Sequence, residues 1–382
     1  MKKLFTSESV TKGHPDKVCD QIADAVLDEL LRQDPLSRVA CEVIAEPGKV
    51  HIMGEITSKA VVDYKEIARK VIRSIGYTDE ALGFTDECEI TESIHKQSPD
   101  ISMGVDSSFD EKDSSGAGDQ GIMFGYAIDE TKEEMPLALS LARRLTDLLT
   151  EKRESGELSY LRPDGKSQVT VEYEGRAVKR IEAVVVSTQH DEDIPLEKLR
   201  EEIKEKVILS GLPKELIDEN TKFYINPTGR FVYGGPAADT GLTGRKLIVD
   251  TYGSKAHHGG GAFSGKDPSK VDRSAAYALR NIAKSIVRSG IAKEAELQIS
   301  YAIGVAKPIS LELDTFGTGK KSEEEILRVV EKHYDLRPDA IIRRFDLRKP
   351  QYLATAEHGH FGKADYPWEK VDEEFIKDLK NL

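Results

Sequence analysis

Apolar residues recur every four positions at Val18, Ile22, Val26 and Leu30, just after Pro15. That is one stripe of a helix, with proline in the first-turn position that suits it. His14 and Asp16 then sit at the positive end of that helix. Val39, Cys41, Val43 and Ala45 alternate, as do Val50, Ile52, Gly54 and Ile56, which predicts two strands. Helices are expected over Tyr64–Ile75, from near Pro136, over Leu196–Leu209 and over Ala275–Val287. Further strands are expected at Val169–Tyr173, Ile181–Ser187, Leu247–Thr251 and Leu297–Ile303. The tail from Arg337 reads as short elements and loops. Paired strands beside helices, without a regular βαβα series, make the class α+β. No repeat is visible in the residues themselves.

The stretch Gln97–Gly121 breaks the pattern. Ser, Asp and Gly dominate it, and Ile101, Met103, Val105 and Phe109 stand alone. A long polar loop inside a compact chain acts as a connector or as a lid. The segment from Gln97 to about Asp113 is expected to be a lid that orders over substrate, because it cannot bury enough surface to order itself.

Composition narrows the function. The net charge of -13 disfavours wrapping nucleic acid or binding an anionic membrane. No continuous apolar run is long enough to span a bilayer. The N-terminus turns polar at once, so no signal-peptide core is expected. Cys19, Cys41 and Cys88 form no CxxC pair, which fits a reducing cytoplasm. An anionic ligand would need a local concentration of basic groups. One exists: Arg245, Lys246, Lys266, Lys270 and Arg273 surround the run Gly259–Asp267.

Glycines let backbone N–H groups approach an anion, and Lys266 adds a point charge. Gly260–Lys266 fits the core of a P-loop, but Asp267 stands where Ser or Thr is needed to hold magnesium. His257 and His258 also separate the run from its expected strand. Phosphate binding survives this; the P-loop does not. Gly116–Gly121 reads G-x-G-x-x-G, yet a polar loop precedes it and a strand start at Ile122–Phe124 follows, so it is no dinucleotide fingerprint. His14 and Asp16 are either a helix cap or an anion or metal site. Glu42 shares a strand face with Ala40 and Ile44, as solvent-facing carboxylate or ion ligand. His358 and His360 alternate like strand neighbours, but without a third ligand they make no zinc site.

Several segments together resemble the S-adenosylmethionine synthetases, or methionine adenosyltransferases: Phe5–Val10, Gly13–Lys17, Gly116–Gly121, Asn226–Phe231, Gly241–Lys246 and His258–Arg273. The resemblance runs from near residue 4 to Gly362. It implies three similar α/β units around a pseudo-threefold axis: an N-terminal domain (1–100), a mobile active-site loop and connector (101–121), a central domain (122–231) and a C-terminal domain (232–382). It implies transfer of the adenosyl group of ATP to the sulfur of L-methionine, then hydrolysis of the bound tripolyphosphate. It also implies a homotetramer, a dimer of dimers with active sites at the dimer interface.

Matched position by position, His14, Asp164, Lys166, Arg230, Phe231, Asp239, Arg245, Lys246, Ala262 and Lys266 correspond to ATP contacts. Among these, His14, Lys166, Arg245 and Lys266 correspond to catalytic positions. Glu55, Gln97, Asp119, Asp239 and Lys270 correspond to methionine positions. Asp16 and Asp272 match ligands of two magnesium ions per subunit (Mg2+), and Glu42 a ligand of one potassium ion (K+). Lys12, Ala238 and Ala256-His257 depart from the family pattern. Two other functions fit a nucleotide site: a phosphotransferase, or a silent regulatory homologue. The latter would be expected to have lost charged site residues that are present here.

Overall fold

The structure, a computed structural model, describes residues 2–96, 108–111 and 114–382. The chain runs three times through the same order of elements. The first pass is β1 (Lys2–Val10), α1 (Pro15–Gln33), β2 (Arg38–Glu46), β3 (Lys49–Thr57), α2 (Tyr64–Ile75) and β4 (Glu89–His95). The second is β5 (Gly121–Ile128), α3 (Leu137–Glu154), β6 (Leu161–Glu174), β7 (Ala177–His190), α4 (Leu196–Ile203) and β8 (Lys222–Ile225). The third is β9 (Gly241–Leu242), α5 (Val271–Ser289), β10 (Glu294–Tyr301), β11 (Ser310–Asp314) and α6 (Glu323–His333). Short helices α7 (Pro338–Arg344), α8 (Leu353–His358) and α9 (Glu373–Lys380) follow in place of a last strand.

The opening strand of each pass leaves its own unit. β1 pairs antiparallel with β6, β5 with β10, and β9 with β2. The sheets are therefore β1-β6-β7-β8, β11-β10-β5 and β4-β3-β2-β9. Each unit lends a strand to the next, and the third lends one back to the first. That cyclic exchange is the topology of the pseudo-threefold fold that the resemblance implies. What repeats is the order of elements, not the residues.

Helix α1 shows how the fold is held. His14 caps it, accepting the Asp16 N–H on Nδ1 at 3.2 Å. Val18, Ile22, Val26 and Leu30 are buried, as the stripe predicts. A second row at the same spacing is also buried: Asp16, Asp20, Asp24 and Asp28. Carboxylates are buried only when paired. Here they receive N–H groups of the third unit and tail: Leu242 on Asp16, Gly244 on Asp20, Gly265 on Asp24, and Tyr352 and Leu353 on Asp28. The acidic row thus stitches distant segments onto one helix.

Two expectations are corrected and one is refined. Leu247–Asp250 is a helical turn, not a strand, because Arg143 takes the Val249 and Thr251 carbonyls and Lys17 takes the Asp250 side chain. The helix from Leu196 stays regular to Ile203 and widens into a π turn over Lys204–Ile208. His358 ends α8 and is no strand neighbour of His360. It pairs with Asp147 at 2.7 Å, while buried His360 meets the Tyr277 hydroxyl at 2.7 Å.

Candidate active site

Two lysine–aspartate pairs form the centre. Lys246 Nζ lies 2.6 Å from Asp16 Oδ2, with Arg245 Nη1 3.7 Å from Oδ1. Gly241 makes this possible: a Cβ there would sit 2.1 Å from the Pro15 carbonyl oxygen, so only glycine lets this strand lie against the first turn of α1. The end of β6 is tied to the same corner, since the Thr11 hydroxyl donates to the Pro163 carbonyl at 2.7 Å. That puts Asp164 and exposed Lys166 beside His14. Asp164 is buried and accepts the Gly235 N–H at 2.8 Å; its Oδ1 has no partner among the described residues, and burial pushes its carboxyl up to about 6.

Burial, with Lys246, Lys166 and Lys17 near, drives the His14 imidazole down to about 3, against the pull of Asp16. The neutral ring accepts at Nδ1, so Nε2 carries the proton. Because the folded value lies below the ordinary 6.5, the unfolded chain binds the proton first. His14 therefore stabilises the fold above pH 6.5, and that contribution is lost as pH falls toward 3, by about 1.4 kcal/mol per pH unit. Asn also caps helices. Between pH 6.5 and 5, the Tm of the parent is expected to fall more steeply than that of His14→Asn. Parallel Tm curves would refute this assignment.

The second pair is Lys266 Nζ and Asp272 Oδ2, at 2.6 Å. Its loop is anchored to β2: the Gly265 carbonyl accepts the Cys41 N–H at 2.9 Å, and Asp267 donates to the Val39 carbonyl at 3.0 Å. Gly265 has φ +81°, and a Cβ would meet the Cys41 carbonyl oxygen at 2.0 Å, so no other residue fits. Lys270 pairs with buried Asp267. Half-buried Glu42 stands near Lys266; burial raises its carboxyl, Lys266 opposes the shift, and Glu55 adds to it. The two pairs are strung along α1, since Asp16 holds Lys246 while Asp24 holds Gly265. Those aspartates are eight positions apart on the helix, about 12 Å. Ala262 closes the gap between the segments, packing on Gly244.

The other expected residues flank the two pairs without bonding to them, Glu55 near Glu42 and Asp239 near Asp164. Arg230 turns to Glu192 at 2.7 Å. Phe231 is fixed by His190, whose Nε2 accepts its N–H at 3.0 Å. Asp239, Glu55 and Asp119 are exposed. Among the described residues, no hydrogen bond or ion pair joins these five to Asp16, Lys246 or Lys266. Gln97 and most of the expected lid lie outside the described residues. The residues that sequence reasoning missed are Lys17, Asp20, Asp24 and Asp250, which hold the site from behind. The four-residue spacing of the aspartates was the one visible signal, and it marks only Asp20 and Asp24 among these.

Domain profiles of S-adenosylmethionine synthetase match this chain in order: N-terminal over residues 2–99, central over 114–231 and C-terminal over 233–370. The chain belongs to the S-adenosylmethionine synthetase family. Its relatives span its length. The S-adenosylmethionine synthase of Clostridium tetani (strain Massachusetts / E88) is 55% identical over 392 residues, covering all of both chains. That of Clostridium botulinum (strain Alaska E43 / Type E3) is 55% identical over 390, covering 100% of this chain and 99% of the relative. That of Clostridium acetobutylicum is 57% identical over 382, covering 97% and 98%.

S-adenosylmethionine synthetases need metal ions, and the donor set can be tested against that need. Among the described residues, no group of three or more His, Cys, Asp or Glu could hold an ion. Asp16 and Asp272 are instead separate carboxylates, each beside a lysine. Magnesium is commonly held by one or two carboxylates, with substrate phosphates and water filling the rest. The residues fit an ion that arrives with a polyphosphate.

Proposed function

We infer that this chain is a methionine adenosyltransferase. It joins the sulfur of L-methionine to C5′ of ATP, breaks the C5′–oxygen bond and releases tripolyphosphate, which it then hydrolyses to pyrophosphate and phosphate. The observation that carries the reading is the pair of lysine–aspartate clusters along α1, a concentrated cationic site in a chain of net charge -13. Thioether sulfur is a neutral nucleophile and needs no general base. The work is placement, plus stabilisation of the charge that grows on the departing oxygen.

Lys166, Arg245, Lys246 and Lys266 grip the polyphosphate. His14 offers Nε2–H to the departing oxygen. Asp164, Arg230, Phe231, Asp239 and Ala262 hold the rest of ATP. Asp119 and Lys270 take the ammonium and carboxylate of methionine, with Glu55, Gln97 and Asp239 around them. The backbone supports that pairing, since Gly118 packs against Ser269 and Lys270. Asp16 and Asp272 would hold two magnesium ions and Glu42 one potassium ion; bound there, the cations supply charge neutralisation at the phosphates.

The chain assembles as a homotetramer, a dimer of dimers with sites between paired subunits. Glu55, Asp119 and Asp239 are exposed, which leaves them open to a second subunit. The protein works in the cytoplasm. Cys19, Cys41 and Cys88 are free and buried, which supports a reducing compartment. No helix among the described residues is long and apolar enough to cross a membrane.

Incubation with ATP, methionine, magnesium and potassium should yield S-adenosylmethionine, pyrophosphate and phosphate, with no ADP. ADP as the product would instead establish a phosphotransferase. Binding without turnover would establish a silent homologue.

A further inference from the structure

Lys17 is fully buried, yet it is not a catalytic candidate. Its ammonium lies 2.6 Å from Asp250 Oδ1 and 3.1 Å from Asp20 Oδ2, and both carboxylates are buried. Burying such a cluster is a poor route to stability, since apolar side chains of the same volume often do as well. What the cluster does secure is location. Asp20 Oδ1 accepts the Gly244 N–H at 2.9 Å, immediately before Arg245. Asp250 ends the helical turn after Lys246, and its N–H donates to the Lys246 carbonyl at 2.8 Å. The cluster therefore grips the Gly244–Asp250 segment on both flanks of Arg245 and Lys246. It does so from α1, the helix whose Asp16 receives the Lys246 ammonium.

We propose that Lys17, Asp20 and Asp250 are positioning residues, which set Arg245 and Lys246 at the correct distance from Asp16 to receive the polyphosphate of the substrate. The proposal rests on the reading that Arg245 and Lys246 grip that polyphosphate. None of the three residues touches substrate; each acts through the segment it holds. Misplacing a substrate-gripping group by 1 Å can cost about a hundredfold in rate. A partial loosening should cost less.

The test is a mutant cycle with Asp250→Asn, which keeps the shape and one oxygen toward Lys17. This variant is expected to lose about tenfold in kcat/KM for ATP while keeping its KM for methionine. The rise in Tm given by tripolyphosphate should shrink, a readout independent of basal stability. Lys246→Met should be impaired by itself, and adding Asp250→Asn should cost no more than about a further twofold, because the two act as one unit. Asp20→Asn gives a second, milder series if Asp250→Asn fails to fold, since burial already pushes Asp20 up to about 7. Losses that multiply in the double variant, or an undiminished tripolyphosphate shift, would overturn the proposal. A parent that makes no S-adenosylmethionine, or an unimpaired Lys246→Met, would instead overturn the reading on which it rests.

Discussion

Removing divalent cations with a chelator is expected to lower turnover at least about a thousandfold, and magnesium alone should restore it. Bound metal contributes several kcal/mol by neutralising charge on a phosphoryl group as it departs. The chain by itself provides Arg245, Lys246, Lys166 and Lys266, too few to balance a tripolyphosphate while Asp16 and Asp272 neutralise two of them. The fold should not depend on the metal, because both carboxylates already have protein partners. Tm should therefore hold in the chelator while activity disappears. Potassium should raise activity further through Glu42, whose negative charge is disfavoured by burial and by Glu55. Full turnover in the chelator would remove the metal assignment. Indifference to potassium alone would remove only that of Glu42.

Local elements were legible where local pattern decides them. α2 spans Tyr64–Ile75 as expected, and α1 starts at Pro15 behind its cap. β2 and β3 carry the alternation of Val39–Ala45 and Val50–Ile56. The cyclic exchange of strands was not legible, because it is a statement about partners. β9 is two residues long, and no period can announce it. Leu247–Thr251 alternates like a strand, yet its conformation is set by Arg143 and Lys17, over a hundred and over two hundred residues away. For a segment that short, tertiary partners outweigh local preference.

The candidate site divides the same way. Its chemistry could be read from residue types: a cationic run in an acidic chain, and carboxylates at a helix start. Assignment of individual roles came through resemblance of whole motifs, not through spacing. Which lysine meets which aspartate could not be read at all, since Asp16 and Lys246 are 230 positions apart. The acidic row of α1 was visible as a spacing but carried the wrong implication. Aspartates every fourth residue ordinarily mark a solvated face; here that face is buried against the third unit and tail, and each carboxylate holds a backbone N–H.

Lys266→Ala is expected to lower turnover about a hundredfold while leaving the fold intact. The lysine ends the Gly-rich loop, and the loop's attachment to β2 does not use its side chain. Backbone bonds from Cys41 to Gly265 and from Asp267 to Val39 hold it, with Asp24 on the Gly265 N–H. The side chain is 22% exposed and spans from the loop to Asp272 in the first turn of α5. Truncation therefore opens no large cavity, and it removes one preorganised cation aimed at developing negative charge. Such a donor is worth roughly 3 kcal/mol in a water-poor site, which is about a hundredfold in rate. Asp272 is left without its competing cation, so the variant should not need more magnesium to reach half its maximal activity. Circular dichroism and Tm near those of the parent, with turnover down by two decades, would match this role. Turnover within twofold of the parent would place Lys266 outside the reacting site and leave the Gly-rich run as a structural loop.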